Sequence, residues 1–128
     1  MAKKLDQITD GELSILQVLW QRGVATTREI TELVYAEVTD PKMSSVQKLI
    51  ERLEGKGCVE RDRSERAHRF QPRVSQEEFL QSRLQSLADR VCDGELVNLM
   101  TTLVRSKGIS RNERHELRKL IDELWPSK

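Results

Sequence analysis

Apolar residues recur along most of the chain at the spacing of an amphipathic α-helix. In four segments Ser or Thr is followed three residues later by Glu, and each segment precedes a stretch where Leu, Ile or Val returns every three or four positions. The hydroxyl of such a segment caps the first helical turn and the Glu bonds back to the cap, so each segment predicts a helix start. The four are Thr9–Glu12, Thr26–Glu29, Ser75–Glu78 and Ser110–Glu113.

Two more helices are predicted from other signals. Asp40 offers an Asx cap with Pro41 at the first helical position, and Gly55 and Gly57 stop the helix that follows. Asp93-Gly94 precedes another apolar stripe of helical period. The apolar side of the helix after Pro41 is formed by Val46, Leu49, Ile50 and Leu53.

The spacing of apolar residues changes from a helical to a strand-like period in the middle of the chain. Residues 58–63 favour a short strand, residues 64–66 a turn, and residues 67–72 a second strand that ends at Pro72. An isolated hairpin is barely stable, so this hairpin is expected to pack on the helices before it.

Three helices followed by a two-stranded hairpin is the order of a winged helix-turn-helix, in which the hairpin is the wing. The predicted fold is therefore mainly α, with an N-terminal winged helix-turn-helix, a small two-stranded wing and a C-terminal α-helical dimerisation region. We place a DNA-binding domain at residues 1–73 and a helical dimerisation domain at residues 74–128, with the joint near residues 73–75.

Composition narrows the classes of protein. The 128 residues carry 22 Lys and Arg against 21 Asp and Glu, with 37% hydrophobic and 34% charged positions, as in soluble globular chains. No apolar run approaches the ~18 residues of a membrane span, and the N-terminal segment lacks the apolar stretch of a secretion signal. Cys58 and Cys92 do not make a disulfide scaffold. We therefore expect a cytoplasmic protein without membrane insertion.

Positive charge is concentrated in one part of the sequence. Residues 42–73 carry 9 basic and 5 acidic side chains, a local net charge of +4 in a chain of +1. Attraction to phosphate is screened beyond roughly 8 Å, so a local patch can attract DNA even in a neutral protein. An ordinary solvated surface would carry the same charge, and that alternative stays open.

The predicted DNA-binding residues fall into three groups. Side chains opposite the apolar stripe of the third helix can read base edges or approach phosphates, the basic wing can contact the backbone or a minor groove, and the start of the second helix is a phosphate clamp. Strand alternation is expected to place Arg61 and Arg63 on one face of the wing. The groups are Ser44, Ser45, Gln47, Lys48 and Arg52; Arg63, Arg66, His68 and Arg69; and Thr26, Thr27 and Arg28.

The last three helices predict dimerisation. Their apolar stripes make a body of about 50 residues that is marginal alone and gains burial by pairing with a second copy, although a single intramolecular bundle is the alternative. The predicted dimerisation residues are Leu80, Leu84, Leu87, Val91, Leu96, Leu99, Met100, Leu103, Leu117, Leu120, Ile121 and Leu124.

No constellation of residues predicts catalysis. His68 and His115 lack carboxylates at metal-binding spacing, and neither a Gly-rich phosphate loop nor a nucleophile–base arrangement is evident. We predict no metal, no cofactor and no enzymatic activity, and leave a redox role for Cys58 or Cys92 open. The alternative function is a winged-helix protein-interaction module without specific DNA binding, for which Glu51 on the third helix is suited.

Several blocks of the chain resemble the penicillinase repressor family (BlaI/MecI/CopY). They are Gly11–Leu16 with Val18–Trp20, Ser45-Val46 with Leu49–Leu53 and Lys56-Gly57, and Arg66–Phe70 followed by Pro72. The resemblance continues through Ser75–Phe79 and Asp93-Gly94 to the last helix. It implies a dimeric repressor that binds double-stranded DNA at a palindromic operator. It also implies derepression by an upstream signal, often proteolysis within the dimerisation helices by a membrane sensor metalloprotease.

The chain departs from the family pattern at informative positions. Ser44, Ser45 and Lys48 stand where the family usually has Thr, which leaves the operator sequence open. The bond aligned with the family's cleavage site is Thr102–Leu103, where antibiotic-responsive members have Asn-Phe. The Cys-rich tail of the copper-responsive branch is not present in residues 124–128, so copper sensing is not expected.

Overall fold

The computed structural model describes residues 3–106 and 108–126. A 3₁₀ turn at Leu5–Gln7 precedes the first helix. The helices are α1 Asp10–Arg22, α2 Thr27–Tyr35, α3 Asp40–Gly55, α4 Gln76–Val91, α5 Leu96–Arg105 and α6 Arg111–Leu124. The strands are β1 Ala25–Thr26, β2 Val59–Asp62 and β3 Arg69–Pro72. The fold is mainly α with a small sheet, as the sequence predicts.

All four predicted capping boxes are confirmed by paired hydrogen bonds. At the start of α1 the Glu12 amide donates to the Thr9 hydroxyl at 3.3 Å, and the Thr9 amide donates to the Glu12 carboxylate at 3.0 Å. The same exchange stabilises the N-termini of α2, α4 and α6. The cap is thus a local property of the four-residue segment, whatever the helix packs against.

The predicted cap of α3 is wrong by one residue. Thr39 is the N-cap, because its backbone is extended and its hydroxyl accepts from the Lys42 amide at 3.3 Å. Asp40 is instead the first helical residue, where its negative charge interacts favourably with the positive end of the helix dipole. At the other end, the left-handed backbone of Gly57, with φ 75°, turns the chain from α3 into β2.

The sheet has three strands, where the sequence predicts two. β2 and β3 form the antiparallel hairpin, with Arg61 opposite Phe70, and β1 pairs with the other edge of β3. The periodicity of the sequence does not reveal β1, because a strand of two residues is too short to alternate. β1 runs directly into α2, so this pairing joins the start of α2 to the wing.

The core of the N-terminal region is fully enclosed. Apolar side chains of α1 and α3 pack on the hairpin and exclude solvent, as the helical stripes predict. Its fully buried members include Ile15, Leu16, Leu19, Val46, Ile50, Leu53 and Phe70.

A buried ion pair lies beside this core. Glu12 is fully buried, and its carboxylate accepts from the Lys56 ammonium, with the Oε2 contact at 2.7 Å. Lys56 also donates to the Gln7 carbonyl at 2.6 Å. Burial raises the pKa of Glu12, but hydrogen bonds from Lys56 and Thr9 outweigh it and leave the pKa below its ordinary value. The carboxylate is therefore charged at neutral pH, and its pairing offsets the cost of burial.

The chain divides into two compact units between Arg83 and Leu84, later than the predicted boundary after residue 73. The reason is that the first half of α4 packs on the N-terminal unit. The Trp20 indole donates to the Val74 carbonyl at 2.8 Å, and its ring lies 5.8 Å from that of Phe79. As a division between DNA binding and dimerisation, the boundary stays a prediction.

The second unit, taken by itself, contains the end of α4, in which Ala88 is buried, followed by the two helices α5 and α6. Neither helix has a buried residue, although both are amphipathic. Among the described residues, no helix is both long enough and apolar enough to cross a bilayer.

Candidate nucleic-acid interface

The outer face of α3 presents the predicted base-reading residues to solvent. The opposite face of the same helix is anchored in the core by Val46, Ile50 and Leu53, which fixes the rotation of the helix about its axis. The side chains exposed on the outer face are Ser44, Ser45, Gln47, Lys48 and Arg52. The Ser45 hydroxyl donates to the Pro41 carbonyl at 3.1 Å, so its oxygen remains an acceptor.

The start of α2 has the geometry of a phosphate clamp. Thr26 is the N-cap, and its hydroxyl accepts from the Glu29 amide at 3.2 Å. The amides of Thr27 and Arg28, in the first turn, have no carbonyl one turn earlier in the helix to receive them. Free amides at the positive end of a helix dipole are suited to an anion.

Glu29 brings a negative charge next to this clamp. Hydrogen bonds from the backbone and side chain of Thr26 hold the pKa of Glu29 below its ordinary value, with help from the positive charges of Arg22 and Arg69. Arg22 also forms an ion pair with the carboxylate. The pairing reduces the repulsion that Glu29 would exert on an approaching phosphate.

A cleft between α2, α3 and the wing brings half of the predicted residues together. Its volume is about 380 Å³, and Met43, Arg61 and Phe70 contribute to its walls. Six of the twelve predicted DNA-binding residues line it: Thr26, Thr27, Arg28, Gln47, Arg66 and His68. Residues that are distant in sequence, predicted separately as clamp, reading helix and wing, therefore share one surface.

The other predicted residues lie outside the cleft. Ser44, Ser45, Lys48 and Arg52 are exposed on α3, while Arg63 and Arg69 are exposed on the wing. Arg69 forms a salt bridge with Glu65 at 3.4 Å. A pair this exposed contributes little to stability, so the Arg69 guanidinium is available to other acceptors.

Arg61 has a different environment from Arg63, although alternation predicts that they share a face. Its side chain is only 14% exposed, and its guanidinium donates to both carboxylate oxygens of Glu54, with the shortest contact at 2.6 Å. It also lies 3.2 Å from His68 Nδ1 and 4.9 Å from the centre of the Phe70 ring. Sequence reasoning missed this role, because the partners lie on α3, just before β3 and on β3, and only the tertiary fold brings them together.

The predicted dimerisation residues are largely exposed. All are exposed except Leu99 and Leu117, which are half-buried. Between α5 and α6 an open, mainly apolar cleft of about 600 Å³ is lined by Leu103, Leu117 and Leu120. Large exposed apolar patches are common at interaction sites.

Comparison with known proteins identifies the family. A family model described as penicillinase repressor matches residues 8–123. The chain belongs to the penicillinase repressor family.

Individual relatives in this family match along nearly the whole chain. The penicillinase repressor of Bacillus licheniformis is 26% identical over 122 residues, which cover 94% of each chain. The methicillin resistance regulatory protein MecI of Staphylococcus aureus strain N315 is 21% identical, covering 96% of this chain and 99% of its own. The solution structure of the DNA binding domain of the repressor BlaI is 28% identical over 59% of this chain and 92% of its own, with a TM-score of 0.49.

Family membership fixes the general class of protein. The penicillinase repressor family consists of transcriptional regulators, and this member is a DNA-binding transcriptional repressor and not an enzyme.

Proposed function

We propose that the chain represses transcription as a homodimer on a two-fold-related operator and is released by an upstream signal. The observation that carries the proposal is the cleft beside the exposed face of α3, which combines the helix N-terminus at Thr27 with Gln47, Arg66 and His68. Amide, guanidinium and imidazole donors around one concave surface match the phosphate backbone of a duplex.

In this proposal α3 enters the major groove. Gln47, Lys48 and Arg52 read base edges, while Ser44 and Ser45 are small enough to allow close approach to phosphates. The wing residues Arg63, Arg66, His68 and Arg69 and the clamp residues Thr26, Thr27 and Arg28 hold the sugar-phosphate backbone on either side.

The proposed dimer follows from the unpartnered apolar surfaces of the last three helices. Leu87 is 47% exposed, Met100 40% and Leu120 50%, so a second copy can remove a large apolar area from water. Two-fold symmetry would place the two recognition helices about 34 Å apart, or a multiple of that distance, to match successive major grooves.

Release by proteolysis would require local unfolding of α5. Thr102–Leu103 lies inside this helix, and the Thr102 hydroxyl donates to the Asn98 carbonyl at 3.0 Å. A protease cleaves extended backbone, so a cytoplasmic domain of a membrane sensor metalloprotease would act on a transiently opened α5. A ligand that separates the dimer is the other route of release.

The decisive experiment selects bound duplexes from random DNA with the purified chain. Two inverted half-sites with centres about one or two helical turns apart are expected from a two-fold dimer. Binding of one unrepeated half-site, or of no duplex at low salt, would contradict the proposal.

Two substitutions then separate base reading from phosphate contact. Arg52→Ala is expected to cost about 1–3 kcal/mol of DNA-binding free energy and to relax the preference at one base pair. Arg66→Ala should weaken binding to all DNA sequences equally and reduce the salt dependence of the affinity by about one contact. A uniform loss with Arg52→Ala would remove it from the base-reading set.

A mobility-shift titration with DNA at two salt concentrations tests the alternative, a winged helix that docks on protein. Glu51 is exposed on the outer face of α3, where it repels a polyanion and favours a protein partner. If the face docks on protein, we expect no salt-dependent affinity for DNA. If the chain is a repressor, its affinity for DNA is expected to fall steeply when the salt concentration is raised.

A further inference from the structure

One guanidinium connects three parts of the proposed DNA-binding surface. Arg61, on β2, forms a bidentate ion pair with Glu54 in the last turn of α3 and lies over the Phe70 ring on β3. Its Nη1 lies 3.2 Å from Nδ1 of His68, which precedes β3. The recognition helix, the hairpin and one proposed backbone contact therefore meet at a single side chain.

We propose that Arg61 is a positioning residue, which sets the wing against α3 and orients His68 toward DNA. This inference rests on the proposed function. Arg61 is an unsuitable phosphate anchor, because its charge is already paired with Glu54 and both side chains are largely covered, 14% and 24% exposed. The planar fork of arginine fits a carboxylate with two parallel hydrogen bonds, so it holds direction as well as distance.

The contact with His68 also selects a tautomer. A guanidinium only donates, so Nδ1 of His68 must accept and cannot carry the proton. In the neutral ring the proton is therefore on Nε2, which becomes a hydrogen-bond donor. Since His68 lines the cleft with Thr27 and Arg28, the wing presents a donor of fixed orientation where a phosphate oxygen is expected.

Substitution of Glu54 provides a test, because two explanations of its role predict opposite changes in DNA affinity. If Glu54 acted only through its charge, Glu54→Gln would remove a repulsion and tighten DNA binding. If it holds Arg61, the same change weakens DNA binding, and we expect about tenfold from the loss of charge-assisted hydrogen bonds. Glu51→Gln is the matched control, because it removes the same charge from the exposed face of the same helix and is expected to leave affinity unchanged or increase it.

Arg61 itself is tested with two variants. Arg61→Met keeps an unbranched chain over Phe70 but donates no hydrogen bond, and Arg61→Lys keeps the charge but not the fork. Both variants are expected to weaken DNA binding about tenfold and to leave the salt dependence of the affinity unchanged. If Arg61 instead contacted a phosphate directly, Arg61→Met would reduce the salt slope by about one contact, and Arg61→Lys would keep the slope of the wild type. Thermal unfolding of each full-length variant verifies that it is folded.

A spectroscopic measurement tests the arrangement without DNA. Nitrogen-15 NMR of the imidazole in the full chain distinguishes the two tautomers, and we expect His68 to have its proton on Nε2 in the wild type and a mixture in Arg61→Met. The inference is overturned if wild-type His68 carries its proton on Nδ1, or if Glu54→Gln tightens binding. A wild-type chain that binds no duplex contradicts the proposed function instead, and the tautomer then reports the Arg61–His68 contact alone.

Discussion

The two units of the chain are both built from amphipathic helices, but they bury different fractions of the apolar side chains on those helices. In the N-terminal unit the apolar faces of α1 and α3 close on the hairpin, and residues such as Leu16 and Ile50 are fully buried. In the second unit α5 and α6 are amphipathic yet bury no residue. The first unit thus encloses its core within one chain, while α5 and α6 in the second unit leave apolar faces exposed that a partner can cover.

The capping boxes sharpen this contrast, because one motif occurs in both units. Thr9–Glu12 and Ser110–Glu113 make the same pair of hydrogen bonds. Glu12 is also buried and paired with Lys56, whereas Glu113 is exposed. The cap gives each helix a start, and the surroundings decide how much stability the glutamate contributes.

The largest expected effect is on association. Leu120→Glu would place two carboxylates in the proposed dimer interface, one from each copy, and is expected to weaken dimerisation by roughly 1000-fold or more, about 4 kcal/mol. Analytical ultracentrifugation measures the change. His115→Glu adds the same charge on another side of α6 and should leave the dimer intact; if both variants behave alike, this face is not the interface.

Truncation of an isoleucine in each unit compares a closed core with an open face. Ile50→Ala is expected to lower the free energy of unfolding by about 3–4 kcal/mol at any protein concentration, because it leaves a cavity in an enclosed site. Ile121 is 51% exposed, so Ile121→Ala should act mainly through dimerisation. Urea unfolding at two protein concentrations separates them: a concentration-independent loss at Ile121 would mean that its site is closed within one chain.

Loss of the buried carboxylate has a slightly smaller expected effect. Glu12→Gln breaks the pair with Lys56 and should destabilise the protein by about 3 kcal/mol, whereas Glu113→Gln should cost about 1 kcal/mol or less. Thermal unfolding of the two variants measures both. Equal losses would show that the motif, and not its surroundings, sets the contribution.

The same carboxylate predicts a pH dependence with a definite sign. The pKa of Glu12 in the folded chain is below the ordinary value of 4.5, so its contribution is full above about pH 4.5 and is lost as pH falls through the folded pKa. The gap in unfolding free energy between wild type and Glu12→Gln should therefore narrow in acid. A gap that is constant from pH 7 down to acid unfolding would contradict the lowered pKa.

Much of the fold could be predicted because its signals are local. Capping boxes, apolar period and the glycine at the end of α3 depend on residues within a few positions of each other, and the helices begin and end close to the predicted residues. β1 could not be predicted, since Ala25 and Thr26 are strand residues only through pairing with Phe70 and Arg69. The Thr39 cap was missed because Asp is the better N-cap by residue type and Asp40 directly precedes Pro41.

The candidate interface divides in the same way. Residue type and helical phase were enough to predict that Gln47 and Arg52 would be exposed on α3, and the structure places them there. The shared cleft, with Arg66 and His68 beside Thr27, depends on how the wing packs against two helices. Which of these residues contact DNA stays a prediction.

The sequence by itself determined where helices start, which faces are apolar and which segment is basic, because these properties are set by near neighbours and by side-chain chemistry. Only the tertiary structure decided which charges are paired. Glu12 with Lys56 and Glu54 with Arg61 are joined by packing and strand register, and hydrogen bonds of this kind require distances and directions that composition cannot specify. Basic side chains alike in sequence therefore have different surroundings: Lys56 and Arg61 are held in ion pairs with glutamates, whereas Arg66 is exposed to solvent.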